Sequence, residues 1–138
     1  MQLDGEVDQE TRAHVTALAV EFNWKLDRGI AEGFAELFTT DGVFTAAGSE
    51  RRGRAELATF AQARSEQNKI SRTILGLPRL HWNGQEIQGT VPYTLFMHSG
   101  EGQPEAQVFA VGEYEDNYRI EDGAWRIASR RSRQVFKR

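Results

Sequence analysis

Asp27 is the side chain in this sequence whose surroundings most suggest chemistry. It stands in the run Asn23-Trp24-Lys25-Leu26-Asp27-Arg28-Gly29, where one helical pattern gives way to another. A carboxylate flanked by Phe22, Trp24 and Leu26 and aimed into an apolar cavity has its charged form disfavoured. That is the condition under which a carboxylate can act as a general base near neutral pH. The same position suits a second role, because Asp at a helix junction commonly caps the helix that follows. Spacing alone leaves both readings open.

Other polar groups sort by the parity of the strands that carry them. In the run 86–98 the odd positions are Ile87, Gly89, Val91, Tyr93, Leu95 and Met97, an apolar face that should look inward. On that register Met97 points in and His98 points out, unless a bulge near Pro92 reverses the parity. Tyr114 shares its parity with Gly112, Asp116 and Tyr118. A tyrosine on such a face either holds a ligand or fills the core with its hydroxyl at the rim. Arg72 is placed to neutralise a bound carboxylate or to pair with Asp27, although Arg at a strand start is commonly a surface charge. His14 and His81 read as surface or packing residues, and three histidines with no shared short spacing suggest no metal site.

These residues need a helical first half and a strand-rich second half to position them. Asp8-Gln9-Glu10-Thr11 opens a helix with Val15, Leu18, Ala19, Phe22 and Leu26 at helical spacing. A second, shorter helix is expected to carry Ile30, Phe34, Leu37 and Phe38 on one face. Thr40-Asp41-Gly42 reads as a turn, Val43 to Ala46 as the start of a strand, and residues 48–53 as a loop. A third helix places Leu57, Phe60 and Ala61 inward. Residues 72–82 and 86–98 read as long antiparallel strands joined at Asn83-Gly84, and Glu121-Asp122-Gly123 joins a last hairpin. The pattern predicts an α+β domain, three helices against a curved, mostly antiparallel sheet of four to six strands.

Composition narrows the function classes. The chain has 138 residues, room for one domain over 1–138, and its net charge of −3 argues against nucleic acid as a partner. The basic residues near the end, among them Arg126, Arg130, Arg131 and Arg133, read as a solvated or interface face of a final strand. No apolar run approaches the ~20 residues of a membrane span. The acidic start, Met1 to Glu6, is unlike a secretion signal. Without cysteine there is no disulfide or thiolate chemistry. A cytoplasmic protein, with no cofactor and no membrane partner, is the expectation.

Several segments in order resemble the SnoaL-like members of the nuclear transport factor 2-like superfamily. They are Asp27 at its helix junction, Leu37-Phe38-Thr39-Thr40-Asp41-Gly42-Val43-Phe44, Arg52-Gly53-Arg54-Ala55-Glu56-Leu57, and Ser71-Arg72-Thr73. Gly112-Glu113-Tyr114-Glu115-Asp116-Asn117-Tyr118 and Asp122-Gly123-Ala124-Trp125-Arg126-Ile127 close the pattern. The resemblance implies a cone-shaped sheet wrapped around three N-terminal helices with an internal apolar pocket. In relatives such as scytalone dehydratase, an Asp at this junction partners a His at the start of the first long strand. Here that position falls on Thr73, so the dyad is broken. Tyrosines that polarise the substrate fall at Leu26 and Ala46, both apolar, and a second histidine falls at Met97 or His98.

The resemblance therefore implies a pocket for a small apolar cyclic or polyketide-like molecule. Asp27 and His98 are its catalytic candidates, and Trp24, Arg72, Thr73, Tyr93, Met97 and Tyr114 its binding candidates. One outcome is a cofactor-independent lyase, isomerase or cyclase with Asp27 as base. The other is a non-catalytic ligand carrier or accessory subunit, as the beta subunits of ring-hydroxylating dioxygenases are. Relatives commonly dimerise through the outer sheet face, which implies a homodimer.

Overall fold

The computed structural model describes residues 7–138; the acidic start, Met1 to Glu6, lies outside the described residues. Helix α1 (Gln9–Arg28) begins where the Asp8 carboxylate accepts a hydrogen bond from the Thr11 amide at 3.2 Å. Its buried face is Val15, Leu18, Ala19, Phe22, Asn23 and Asp27, an i, i+3, i+4 stripe that ends in two polar side chains. Gly29 ends the helix in the left-handed conformation, its N–H turned back to the carbonyls of Leu26 and Lys25.

The expected second helix does not form. Gly33 has φ +78°, which interrupts helical continuation, and only a short 3-10 turn, Ala35–Leu37, follows. Phe34 and Phe38 are nevertheless fully buried. Strand β1 (Phe38–Ala46) then absorbs the expected turn at Thr40-Asp41-Gly42 as an irregularity in its pairing between Phe38 and Val43. Strand β2 (Ser49–Arg52) pairs back on β1 in place of the expected loop, and helix α2 (Gly53–Ser65) follows with Leu57 and Ala61 buried. Among the described residues there are thus two α-helices, not three.

Beyond α2 lie β3 (Lys69–Leu75), β4 (Arg79–Asn83), β5 (Glu86–Ser99), β6 (Val108–Glu121) and β7 (Ala124–Lys137). The expected single strand over 72–82 is split at residues 76–78 into β3 and β4, both antiparallel to β5. Pro92 stands opposite this break, where its carbonyl accepts from the Gly76 amide at 2.8 Å, so a residue without an N–H is tolerated in an inner strand. The sheet order is β2-β1-β7-β6-β5-β3, with β4 on the flank of β5. Among the described residues, only the β1–β7 pairing is parallel. Among the described residues seven strands, rather than four to six, make a mixed and mostly antiparallel sheet that does not close. Register irregularities at Leu95/Phe96, Val111/Gly112 and Asn117/Tyr118 are the bulges that bend such a sheet. Among the described residues, no helix is long and apolar enough to cross a membrane.

An aromatic cluster packs α1 onto the concave face. Phe22 has ring centroids 5.2 Å from Phe34, 5.0 Å from Phe44 and 5.8 Å from Tyr114. Each such contact adds about 0.5–1.5 kcal/mol beyond the area it buries. Beneath it lies a cation. Arg130 is 1 % exposed and grips Asp116 with two bonds, Nε to Oδ1 at 2.9 Å and Nη2 to Oδ2 at 2.8 Å. Its guanidinium carbon lies 4.0 Å from the Tyr114 ring centroid and 4.5 Å from that of Phe22. The Tyr118 hydroxyl donates to the same carboxylate. Arg130 is therefore not part of a solvated basic face. Arg133, by contrast, does stand exposed on a solvated face, paired with Glu113 at 2.8 Å.

A buried ion pair is costly to break, because the surviving charge has no solvent to turn to. Arg130→Met alone is expected to destabilise the fold by about 3–5 kcal/mol in urea unfolding. Combining it with Asp116→Leu is expected to recover most of that loss. A double variant as unstable as the sum of the two single variants would show that the pair contributes independently of its charges.

Candidate functional site

The last turn of α1 delivers Asp27 to the inner face of β3. The residue is 8 % exposed, and three donors meet its carboxylate. Oδ1 accepts from the Ser71 hydroxyl at 2.7 Å and from the Thr73 hydroxyl at 3.1 Å, while Oδ2 accepts from the Thr73 amide at 2.7 Å. The alternation of β3 makes this possible, since Ser71 and Thr73 project to the same side. Two further contacts extend the cluster. Arg64 of α2 donates to the Ser71 hydroxyl at 2.9 Å, and Arg72 donates to the Asp27 backbone carbonyl at 3.2 Å. The carboxylate thus joins α1 to β3, and Ser71 carries the connection on to α2. It does not cap a following helix, because it lies in the last turn of α1 and no helix begins directly after Gly29.

The other candidate residues divide between two faces. Ser71 pairs with Met97 and Thr73 with Leu95, so Met97 shares the face of Asp27. His98 pairs with Ile70 on the opposite face, as the uninterrupted parity of β5 requires. The irregularity of β5 falls at Leu95/Phe96, not at Pro92, and it affects pairing with β6 rather than with β3. Trp24 is 49 % exposed and stacks under Arg28, whose guanidinium carbon is 3.5 Å from the ring centroid. It stands outside the aromatic interior.

Tyr93 and Tyr114 are buried on the concave face, their rings 4.7 Å apart. Gly112 permits this stack, since a Cβ there would lie 2.8 Å from the Tyr93 hydroxyl oxygen. Both hydroxyls have partners within the protein. The Tyr93 oxygen is 2.9 Å from the Ser132 hydroxyl, and Tyr114 accepts from Asn23 Nδ2 at 3.0 Å. Burial pushes the Tyr114 hydroxyl up to about 12, with the Arg130 charge pulling the other way, and burial raises Tyr118 well above its ordinary value. Both are therefore neutral phenols at physiological pH.

Sequence reasoning passed over Ser71, Arg64 and Asn23. A signal for two of them was present: Ser71 has the strand parity of Thr73, and Asn23 lies one helical turn before Asp27. Among the described residues, no three metal-ligating side chains come together. Concavities of 480 Å³ beside α2, 610 Å³ between α1 and the β6–β7 turn, and 360 Å³ at Asp27 open at the surface.

A SnoaL-like domain model matches residues 8–131. No curated protein matches the chain significantly. Among solved structures, a variant of Rv3472, a protein of unknown function from Mycobacterium tuberculosis, is 28% identical with a TM-score of 0.76. That match covers 88% of this chain and 70% of Rv3472. A candidate scytalone dehydratase from Novosphingobium aromaticivorans is 16% identical with a TM-score of 0.78, covering 91% of this chain and 85% of its own. An NTF2-like protein with a cystatin-like fold from the same organism is 19% identical with a TM-score of 0.74, over 95% and 92% of the two chains. The last two show the fold alone.

The three hydrogen bonds at Asp27 should be measurable as stability. Ser71→Ala removes a donor to Asp27 and the acceptor of Arg64, and is expected to cost about 1–3 kcal/mol in urea unfolding. Thr73→Val keeps the amide donor and the side-chain shape, and is expected to cost about 0.5–1.5 kcal/mol. Wild-type stability in both variants would mean that these contacts do not hold α1 to the sheet.

Proposed function

The chain belongs to the SnoaL-like domain family, and from that membership we propose that it is a binding protein for a small organic molecule rather than a base-driven lyase, isomerase or cyclase. One observation carries this reading: the Asp27 carboxylate already accepts from Ser71, from the Thr73 amide and from the Thr73 hydroxyl. A general base must bring a free lone pair within hydrogen-bond reach of the substrate proton, and three of the roughly four acceptor sites of this carboxylate are already taken. Thr73, standing where the resemblance places a histidine, brings no imidazole to share the proton. The nearest strand position with an imidazole, His98, faces away from Asp27. Tyr93 is bonded to the Ser132 hydroxyl, and Tyr114, which accepts from Asn23, is buried against the Tyr93 ring and Arg130. The concavities, at 360 to 610 Å³, have the size that small molecules occupy, roughly 300–1,000 Å³. A ligand carrier and an accessory subunit of a larger enzyme both fall within this reading.

A second reading has a specific observation in its favour. Oδ2 of Asp27 accepts a single bond, from the Thr73 amide, and Asp27 lines the 360 Å³ concavity. A cofactor-independent lyase or isomerase would use that oxygen to take a proton from a small cyclic or polyketide-like substrate.

One screen separates the two. Small cyclic ketones, enols and alcohols, each with and without a carboxylate, are tested for a rise in melting temperature, and every hit is then incubated in heavy water. Binding without solvent deuterium uptake or product is the expected result. Deuterium uptake or turnover that Asp27→Asn abolishes would overturn the binding reading in favour of the enzyme.

A further inference from the structure

The ends of both helices meet at β3, and cations gather there. Ser65, the last residue of α2, lies close enough to Gly29 that a Cβ on the glycine would be 3.5 Å from the Ser65 Cα. The concavity at this junction is lined by Arg28, Arg64, Lys69 and Arg72, with Asp27 as its only carboxylate. Among the described residues, none of these four cations comes within 4.0 Å of a carboxylate oxygen. Arg28 rests on Trp24, Arg64 donates to Ser71, and Arg72 donates to backbone carbonyls. The neighbouring Glu66 does not turn to them; it accepts from Gln62 at 2.9 Å.

Cations at helix C-termini have an ordinary purpose, so the charges must be weighed. Each helix end contributes about half a negative charge, and Asp27 contributes one. Against four cations this leaves a local excess of about two positive charges, on a protein whose net charge is −3. Helix-end compensation therefore does not account for the cluster.

The adjoining concavity supplies an apolar surface. It runs along α2 with Ala55, Phe60 and Ala63 in its lining, and shares Arg64 and Gln67 with the cationic junction. Arg51 covers the Phe60 ring from 4.5 Å, and Glu56 is its one acidic residue.

We propose that the α1–α2–β3 junction is an anion-binding site for an amphipathic small molecule, its carboxylate or phosphate held among Arg64, Lys69 and Arg72 and its apolar part lying along α2 against Phe60. The proposal rests on the binding reading above and specifies its ligand class and place. Because Arg64 also bonds Ser71, an occupant of this site touches the same network that holds Asp27.

Calorimetry with naphthoate, neutral naphthylmethanol and inorganic phosphate tests it on the intact protein. Naphthoate is expected to bind roughly tenfold or more tightly than naphthylmethanol, with an affinity that falls as salt screens the cluster. Phosphate is expected to compete with naphthoate. Backbone amide shifts should fall in residues 28–29 and 64–72. The exposed pair Lys69→Gln and Arg72→Gln should reduce naphthoate affinity at least about tenfold while the protein remains folded, its melting temperature lowered only by the loss of the Arg72 bonds to backbone carbonyls. Equal affinity for naphthoate and naphthylmethanol would overturn the proposal, as would unchanged affinity in the folded double variant or amide shifts elsewhere. Neutral ligands binding elsewhere would leave the broader binding reading intact; failure of every ligand, charged or neutral, would overturn both.

Discussion

A helix laid across a curved sheet must be fixed at both its apolar side and its end, and in this chain the end is fixed by one carboxylate. The last turn of α1 has no following helix to lean on, because the backbone leaves it at Gly29 in a left-handed conformation. Asp27 reaches instead to Ser71 and Thr73, and the position of β3 relative to α1 follows from those three bonds. Ser71 then receives Arg64, which brings the end of α2 to the same point. Two helix ends and one strand are held by polar contacts at a place where apolar packing thins out.

The same logic operates one turn earlier along α1. Asn23 donates to the Tyr114 hydroxyl, and Tyr114 covers the guanidinium of Arg130. A cation in the middle of a concave face is tolerated because Asp116 meets it with two bonds and aromatic rings cover it. Most polar groups of the interior are thus paired with each other, although Asn23 Oδ1 and Arg130 Nη1 have no hydrogen-bond partner among the described residues. The proposed binding role rests on the same pairing around Asp27, the carboxylate that the resemblance singled out.

Much of this was legible in the residues. The stripe Val15, Leu18, Ala19, Phe22 fixed the buried face of α1, and the odd positions of β5 predicted correctly that Met97 and His98 point to opposite faces. Thr73 does lie against Asp27, as the family pattern implied. The second helix was misread because its apolar spacing is helical while Gly33 adopts a positive φ, and local backbone freedom prevailed over periodicity. Arg130 was hidden among the other arginines of β7. Its signal lay in the partner strand: an Asp116 that alternates with Tyr114 and Tyr118 faces inward and has to be paired. The cationic junction was invisible because its members come from three elements and meet only in the fold.

If Asp27 holds α1, β3 and α2 together, Asp27→Asn must weaken the fold, which urea unfolding at neutral pH measures. The amide can present its oxygen to the fixed Thr73 N–H, but its nitrogen then replaces the oxygen that two hydroxyls now donate to, one of which is already committed to Arg64. A loss of about 1–3 kcal/mol is expected. A variant as stable as wild type would contradict it and return Asp27 to the role of a free base.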